Sequence, residues 1–363
     1  MNSKKNTLVY VINSLEPGGA EMGFELLLDN GLFDNVFLHL VVISRSGSLL
    51  EKRIAEKIGD NIHFLSEDPI SNKKLFNYAF LIKRYLQKVE PNVVISALTQ
   101  SVLITRFARL TMRFKHITFE HNTEFQNRAA FFLTKCSDFL SDKFWCDSTA
   151  TQRSLLVRKD NAKNIIVPLF HAQSSTIAKV SYDSGNLFRI MSVGRLMQQK
   201  NYRQSLKVIQ LLIESGIKAS LDIFGNGEMK SELEEIAKQE GLKEAIRFCG
   251  FVQDWQREAH KYDAYLLSSE FEGLSIATLE AMGAGLPCVV RPVGELANYI
   301  VPYQNGVFAE TPDEAAIVLA KIYRSPELAK QLGENARNYV NENHSEVKFE
   351  EQIRLARMEI GMA

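Results

Sequence analysis

Short apolar segments recur along the chain, and each is followed by a polar or glycine-rich turn and a stretch with helical spacing. Residues 8–12 begin the series, and Phe24, Leu27 and Leu28 then follow the spacing of a buried helix face. Strands that alternate with helices are typical of α/β proteins with parallel sheets. Further strands of the first half are predicted at 36–43, 62–65, 93–98, 116–119 and 165–168, with a helix at 75–89.

The second half repeats this alternation. Strands are predicted at 188–193, 219–224, 264–267 and 286–290, and a strand with its following loop at 246–252. Helices are predicted at 228–240, 332–340 and 345–360. Residues 172–187 are rich in Ser and Ala, which is typical of a linker. The pattern therefore predicts an α/β domain over 1–171, a linker over 172–187, a second α/β domain over 188–344 and a C-terminal helix over 345–363.

Length and charge agree with two ordinary domains. The chain has 363 residues, with 43 basic and 43 acidic side chains. This balance argues against a dedicated nucleic-acid-binding protein. Residues 1–171 nevertheless have 22 basic and 17 acidic side chains, whereas the remainder has 21 and 26. A basic first half could meet an anionic surface, although evenly mixed loops could give the same difference.

The four cysteines form no Cys-x-x-Cys pair, so we expect reduced thiols in a cytoplasmic protein. No apolar run approaches the ~20 residues of a transmembrane helix. The apolar run at 8–12 is also too short for the hydrophobic region of a signal peptide. We interpret it as a first strand.

The stretch from 264 to 287 places two carboxylates at one edge of the second sheet. A strand at 264–267 precedes Glu272, and a short helix then bears Glu280, with Ser275 as a plausible N-cap and Gly283 near its end. Ligands of open α/β sheets bind at this edge. Alternatively, Glu272 only decorates the helix start and Glu280 is solvated. The N–H groups that would face an anion are those near Leu274, Ser275 and Ile276.

Glycine turns follow several of the predicted strands. Gly194 and Arg195 follow the strand at 188–193, and Lys200 comes shortly after. Arg and Lys at a strand end suit a diphosphate, although both could also be solvated surface cations. Gly18-Gly19 follows the first strand, but it lacks the Gly-x-Gly-x-x-Gly fingerprint of dinucleotide sites and is equally compatible with a simple turn.

The carboxylate pair has a recognisable context. Glu272, seven intervening residues, Glu280 and then AMGAGLP at 281–287 resemble the signature of retaining nucleotide-sugar glycosyltransferases of family 4, which have the GT-B fold. Gly-Gly-Ala-Glu at 18–21, Gly-Arg-Leu at 194–196 and Gly-x-Gly at 225–227 are similar to the same family. The resemblance covers most of the chain and is most specific over 188–306.

This resemblance implies a fold and a separate ligand for each domain. It implies two Rossmann-like domains that face each other across a cleft, with the last helix returning to the first domain. The first domain would bind the acceptor and the second the nucleotide sugar.

The resemblance also implies a role for individual residues. Glu272 would bind the hydroxyls of the donor sugar, Glu280 the ribose, and Arg195 and Lys200 the diphosphate. His121 matches a histidine that faces the donor sugar near its anomeric carbon, although a lone histidine is more often structural. The implied catalytic residues are Glu272, His121, Arg195 and Lys200. The other implied donor-binding residues are Gly18, Gly19, Gly194, Gly225, Gly227, Phe251, Val252, Gly273, Leu274, Ser275, Ile276 and Glu280.

Two departures from the family pattern stand out. The family usually continues with Pro-Asn-Gly where this chain has Pro168-Leu169-Phe170. It often has Gly-Gly-x-x-Glu where this chain has Gly294-Glu295, which leaves sugar selection by this loop undetermined.

The implied reaction moves a hexose or N-acetylhexosamine from a nucleotide sugar, UDP-linked rather than GDP-linked, to a glycan or lipid-linked glycan. It would retain the anomeric configuration and serve cell-surface polysaccharide or lipopolysaccharide assembly. No Asp-x-Asp clusters near the site, so we expect neither a metal nor a cofactor besides the nucleotide-sugar substrate. The alternatives are a GT-B sugar-nucleotide epimerase or hydrolase, and a non-catalytic sugar-nucleotide-binding protein.

A basic segment lies near 106–115. Helical spacing places Arg106, Arg109 and Arg113 on one face, opposite an apolar face that includes Phe107 and Leu110. A basic amphipathic helix can lie on an anionic membrane, and the acceptors implied by the resemblance favour this interpretation. The alternative is a core-facing helix with a solvated charged side. We therefore expect a cytoplasmic protein, peripheral on the inner face of the plasma membrane if this helix binds lipid.

Overall fold

The computed structural model describes residues 6–121, 123, 128–173 and 176–361. They divide into two compact units. The first unit comprises Met1–Leu169 and Phe349–Ala363, and the second comprises Phe170–Lys348. Because the last helix joins the first unit, that unit is built from two separate segments of the chain.

The first unit contains a seven-stranded parallel sheet. Its elements are β1 (Thr7–Ile12), α1 (Gly19–Asp29), β2 (Phe37–Ser44), α2 (Leu49–Ile58), β3 (Ile62–Ser66), α3 (Leu75–Val89), β4 (Val93–Ala97), α4 (Thr99–Arg109), β5 (Lys115–Glu120), α5 (Arg128–Ser137), β6 (Lys143–Cys146), α6 (Thr149–Arg158) and β7 (Asn164–Ile166). The strand order is β3-β2-β1-β4-β5-β6-β7. Helix α3 packs beside α4, and α4 packs beside α5.

Apolar spacing explains how α3 attaches to this sheet. Tyr78, Ile82 and Leu86 recur every four residues and are buried, and they join a core with strand residues such as Val9 and Val94. A stripe of this kind is what holds a surface helix to a sheet.

The second unit contains a six-stranded parallel sheet. Its elements are β8 (Phe188–Val193), α7 (Tyr202–Glu214), β9 (Ala219–Phe224), α8 (Lys230–Gln239), β10 (Ile246–Gly250), α9 (Gln256–Ala259), β11 (Ala264–Leu267), α10 (Ile276–Gly283), β12 (Cys288–Val290), α11 (Leu296–Tyr299), β13 (Val307–Phe308), α12 (Pro312–Arg324) and α13 (Pro326–Asn343). The strand order is β10-β9-β8-β11-β12-β13. The predicted alternation of strands and helices is therefore confirmed in both halves.

The last helix, α14 (Glu346–Glu359), is attached to the first unit by charged groups. Lys143 Nζ lies 3.0 Å from Glu359 Oε1, and Arg357 Nη1 donates to the Gly31 carbonyl at 3.0 Å. Lys115 Nζ donates to the carbonyl oxygen of Glu359. Phe349 and Ile353 are buried on the apolar side of the same helix.

The segment predicted as a linker packs onto the second unit. Lys179 N donates to the Ala284 carbonyl at 2.8 Å, and Tyr182 Oη donates to the Gly285 carbonyl at 3.0 Å. Ser174 and Ser175 of the predicted linker lie outside the described residues. Residues 176–187 are therefore held against the second unit by hydrogen bonds.

The prediction of a solvent-facing basic helix at 106–113 is wrong. Helix α4 ends at Arg109, and Arg113 lies in the connection to β5. Arg106 is only 1% exposed, and its Nη2 lies 2.7 Å from Asp138 Oδ1. Two residues of the predicted apolar face are exposed instead, Phe107 at 44% and Leu110 at 59%.

A set of polar partners explains this inversion. Arg106 also donates to Ser141 Oγ at 3.0 Å and to the Thr134 carbonyl at 2.9 Å. A buried guanidinium is tolerated when its donors and its charge are matched in this way. None of the helices in the described parts of the chain has the length and apolar character needed to cross a bilayer.

Candidate functional site

Three turns at the carboxyl edge of the second sheet are joined by backbone hydrogen bonds. Gly194 N donates to the Phe224 carbonyl at 2.9 Å, and Leu196 N donates to the Asn226 carbonyl at 2.9 Å. Gly225 N in turn donates to the Gly250 carbonyl at 2.8 Å. The turns after β8, β9 and β10 therefore form one continuous backbone surface.

Two of the predicted glycines are required by this contact. Gly225 has φ +146°, and a Cβ there would overlap the carbonyl oxygen of Gly194. A Cβ at Gly227 would overlap the carbonyl of Leu196. Since only glycine allows such an approach of two backbones, the Gly-x-Gly turn is explained by packing as well as by any ligand.

The loop after β8 meets the loop after β11. Gln199 Nε2 donates to the Phe271 carbonyl at 2.7 Å, and Glu270 N donates to the Gln199 carbonyl at 2.8 Å. These bonds fix the position of Lys200, whose Nζ lies 2.6 Å from Glu272 Oε1. Glu272 is only 6% exposed. The predicted diphosphate cation and the predicted sugar-binding carboxylate are therefore direct partners.

A third loop, after β12, holds the backbone of Glu272 and Gly273. Gly294 has φ +57°, and a Cβ there would overlap the carbonyl oxygen of Glu272. Glu295 N donates to the Gly273 carbonyl at 3.0 Å. Gly294 is thus needed for close approach, and Glu295, where the sequence departs from the family pattern, contributes its backbone to the same contact.

Helix α10 begins at this junction. Ser275 is its N-cap residue, as predicted, but it is left-handed with φ 59° and ψ 63°. Its hydroxyl lies 3.0 Å from Thr278 Oγ1 and makes no capping bond to the backbone. Leu274 precedes it and Ile276 opens the helix, so their N–H groups lie at the end of the helix that attracts anions. The helix ends at Gly283, as predicted.

The second carboxylate, Glu280, is half-buried on α10. Gln256 Nε2 on α9 donates to Glu280 Oε1. Burial raises the pKa of Glu280 to about 7, although the bond from Gln256 opposes this shift. The group therefore changes charge near neutral pH, unlike a solvated carboxylate. No sequence motif points to Gln256, which is the first residue of the four-residue helix α9.

The remaining predicted residues of this unit follow the same strand ends. Arg195 is exposed and comes directly after Gly194. Phe251 is half-buried and Val252 is 36% exposed, and both follow β10. The structure thus brings the second-unit candidates to one sheet edge.

The first-unit candidates are Gly18, Gly19 and His121. Gly18 is the N-cap of α1 with extended backbone, and Gly19 is the first residue of that helix. Gly18 therefore lies at the carboxyl end of β1, where the predicted turn was expected. Asn122 and Glu124, which flank His121 in the predicted segment, lie outside the described residues.

His121 follows β5 and is 92% buried, since its exposed fraction is 8%. Among the described residues, neither ring nitrogen has a hydrogen-bond partner. Its Nδ1 lies 3.6 Å from Asp147 Oδ2, and Asp147 accepts a bond of 2.9 Å from the Thr151 hydroxyl. Buried polar groups usually make hydrogen bonds, so an imidazole without one is typical of a residue that bonds to a ligand. Sequence reasoning missed Asp147, although it follows the neighbouring strand β6.

The chain is similar to known glycosyltransferases over most of its length. Residues 176–339 match the sequence model of the family described as "Glycosyl transferases group 1". An uncharacterised glycosyltransferase of Haemophilus influenzae is 26% identical over 306 residues, which cover 81% of this chain and 84% of that protein. The O-antigen biosynthesis glycosyltransferase WbnH of Escherichia coli is 26% identical over 264 residues, or 69% and 73% of the two chains.

One solved structure illustrates the likeness in fold. The crystal structure of Anabaena HepE in complex with UDP-glucose superposes with a TM-score of 0.78 at 16% identity. The superposition covers 97% of this chain and 99% of that one. At this identity the likeness shows the fold alone.

Proposed function

We propose that this chain, a glycosyltransferase with the GT-B fold, transfers a hexose or N-acetylhexosamine from a nucleotide sugar to a glycan or lipid-linked glycan. Its second unit contains the match to the group 1 family. The anomeric configuration is retained, and UDP is the favoured nucleotide over GDP. The likeness to a structure that holds UDP-glucose supports this choice. The named role of WbnH in O-antigen biosynthesis supports a product in cell-surface polysaccharide or lipopolysaccharide assembly.

The observation that supports the proposal most is the contact of Lys200 with Glu272. Their side chains lie 2.6 Å apart at the edge where open α/β sheets bind ligands. A cation there favours a departing diphosphate, and a carboxylate beside it favours positive charge on the sugar. One pair of residues thus provides both charges that transfer from a nucleotide sugar requires.

In the proposed reaction, the bond between the anomeric carbon and the diphosphate oxygen breaks. The acceptor oxygen forms its bond on the same face of the sugar, and its proton passes to the leaving phosphate oxygen. Arg195, Lys200 and the N–H groups of residues 274–276 stabilise the negative charge that grows on the diphosphate. The electrons and the proton balance within the two substrates, and no step of this reaction is assigned to a metal or a cofactor.

The other candidates bind the donor in this proposal. Glu272 accepts hydrogen bonds from sugar hydroxyls, and Glu280 accepts them from the ribose. His121 donates to the sugar near the anomeric carbon, since its nitrogens are otherwise unpaired among the described residues. The Gly18-Gly19 turn borders the phosphates and the sugar. We place the enzyme in the cytoplasm, because its four cysteines are free thiols, as is typical of reducing compartments.

The experiment separates the roles of the two carboxylates. Glu272→Gln should lower kcat about 100-fold with little change in UDP affinity, because it removes charge beside the reacting carbon. Glu280→Gln should weaken UDP binding about tenfold, because the ribose is bound equally in ground and transition states. Steady-state kinetics and calorimetric titration with UDP measure both effects.

Glu270→Gln is the matched control. Glu270 is exposed and lies two residues from Glu272, so its substitution should change neither quantity. Full turnover by Glu272→Gln together with lost UDP binding would reverse the two roles. If neither Glu272→Gln nor Glu280→Gln changes anything, the pair is structural and the proposal fails.

A further inference from the structure

Three neighbouring helices of the first unit expose aromatic rings to solvent. Phe76 is 80% and Phe80 is 57% exposed on α3, Phe107 is 44% exposed on α4, and Phe132 is 65% exposed on α5. Helix α4 contacts both of the others. Isolated exposed apolar residues need no explanation, but a group on adjoining helices is typical of an interaction surface.

Helix α3 shows that this exposure is built into the sequence. Its buried stripe is Tyr78, Ile82 and Leu86, which faces the core. Phe76 and Phe80 form a second stripe with the same four-residue spacing, and Arg84 continues it with its guanidinium 5.9 Å from the Phe80 ring. The helix is therefore apolar on two sides, although the fold uses only one of them.

The same region lacks negative charge. Residues 70–119 contain nine Lys or Arg and a single carboxylate, Glu90. Four of the nine are engaged inside the unit: Lys74 with Asp68, Arg106 with Asp138, Arg109 with Asp142, and Lys115 with Glu359. Five remain without a carboxylate partner among the described residues, namely Lys73, Lys83, Arg84, Lys88 and Arg113.

The second unit has no comparable feature. Among the residues that the structure describes, seven phenylalanines are exposed and all of them lie in the first unit. Six of the seven are on α3, α4 and α5 or in the turn directly after α5: Phe76, Phe80, Phe107, Phe131, Phe132 and Phe139. The concentration is thus a property of this helical surface and not of the whole chain.

We propose that this surface, the exposed side of α3, α4 and α5, docks on an anionic lipid bilayer. Its phenylalanine rings enter the boundary between headgroups and acyl chains, and its unpaired cations contact the anionic headgroups. The exposed phenylalanine rings, rather than Arg106 and Arg109, form the lipid-facing surface. Arg106 and Arg109 are instead paired with Asp138 and Asp142 of the same unit. This inference does not depend on the reaction proposed above.

Charge complementarity favours a bilayer over a second copy of the chain. In a two-fold symmetric dimer the same patch faces itself. Cations on one copy would then face cations on the other, with Glu90 as the only carboxylate that residues 70–119 supply. A surface of anionic headgroups matches these charges without this repulsion.

The first measurement is co-sedimentation of the full chain with vesicles. One set contains phosphatidylglycerol and phosphatidylcholine, and the other contains phosphatidylcholine alone. We expect binding to the anionic vesicles to be at least tenfold stronger, and to fall severalfold when the salt concentration rises from 0.1 to about 0.5 M, because the charges are screened. Equal binding to both vesicle types, or binding to neither, overturns the proposal.

Matched variants locate the binding surface. Phe76→Ser with Phe80→Ser should weaken binding to anionic vesicles at least tenfold, and Arg84→Glu should weaken it severalfold. Phe37→Ser and Lys52→Glu are the controls, because both residues are exposed but lie on β2 and α2. Undiminished binding by the phenylalanine double variant contradicts the proposal.

Two further readings keep the outcome unambiguous. Trp145 fluorescence during urea unfolding shows that the first unit of each variant is folded. Failure of UDP binding in the wild-type chain would count against the proposed reaction and not against the surface. Light scattering reports the oligomeric state. A wild-type dimer that the double phenylalanine substitution converts to a monomer would show a contact between copies and overturn the lipid assignment.

Discussion

The carboxyl edges of the two sheets are held together by different means. In the second unit, backbone hydrogen bonds join the turns that contain Gly194, Gly225 and Gly250. In the first unit, side chains join the turns, as when Asn13 Nδ2 donates to Gln100 Oε1 and the Ser101 hydroxyl donates to Asn13 Oδ1, both at 2.8 Å.

This difference has a physical consequence. Backbones that touch leave no room for a Cβ, so the chain must place glycine at fixed positions. Turns joined by side chains can use many polar residues, and their partners can come from distant elements. The second edge is therefore visible as a sequence motif, whereas the first is not.

The largest effect should come from the buried side-chain network of the first unit. Arg106→Met leaves Asp138 with Arg158 as its remaining cation among the described residues and removes bonds to Ser141 and Thr134. Breaking a buried ion pair typically costs about 3–5 kcal/mol of unfolding free energy. Trp145 fluorescence during urea unfolding reports on this unit.

Arg109→Met is the control for this change. Its pair with Asp142 is partly exposed, so its loss should cost no more than about 1 kcal/mol. Equal losses in the two variants would show that burial of Arg106 does not matter.

A smaller loss should follow from the backbone contact in the second unit. Gly225→Ala places a Cβ against the Gly194 carbonyl at φ +146°. Strain and overpacking together should lower the unfolding free energy by about 2–4 kcal/mol. Trp255 lies in this unit and can report its urea transition.

The matched variant is Gly216→Ala. Gly216 also has a positive φ, +82°, but its surroundings are open. Only the conformational cost of about 1 kcal/mol should remain. If Gly225→Ala is no worse than this, then close approach of the turns does not decide the identity of residue 225.

The smallest effect concerns pH. The pKa of Glu280 is raised from its ordinary 4.5 to about 7, chiefly by burial, so the folded state binds the proton more tightly than the unfolded state. Its stabilising contribution is complete below pH 4.5 and is lost as the pH rises to about 7. Relative to Glu280→Gln, the wild-type chain should lose on the order of 2 kcal/mol between pH 5 and pH 8. A difference that does not vary with pH in urea unfolding would contradict the shifted pKa.

The sequence predicted the α/β alternation in both units because apolar periodicity is local. It also located the strand-end turns with Gly194, Gly225 and Glu272, since a motif marks each of them. It failed at Arg106 because helical spacing assigns a face without knowing that Asp138, 32 positions later, neutralises the charge. Gln256 and Asp147 were not predicted for the same reason. Each contacts a partner that is distant in sequence, Glu280 for Gln256 and His121 for Asp147.

The attachment of α14 to the first unit bears on the order in which the protein can be completed during synthesis. Residues 1–169 leave the ribosome first, but Lys115 and Lys143 meet Glu359 only after 170–348 have been made. At about 5–20 residues per second, this interval lasts about 10–40 s. All strands of the second sheet are therefore synthesised before the last helix of the first unit becomes available.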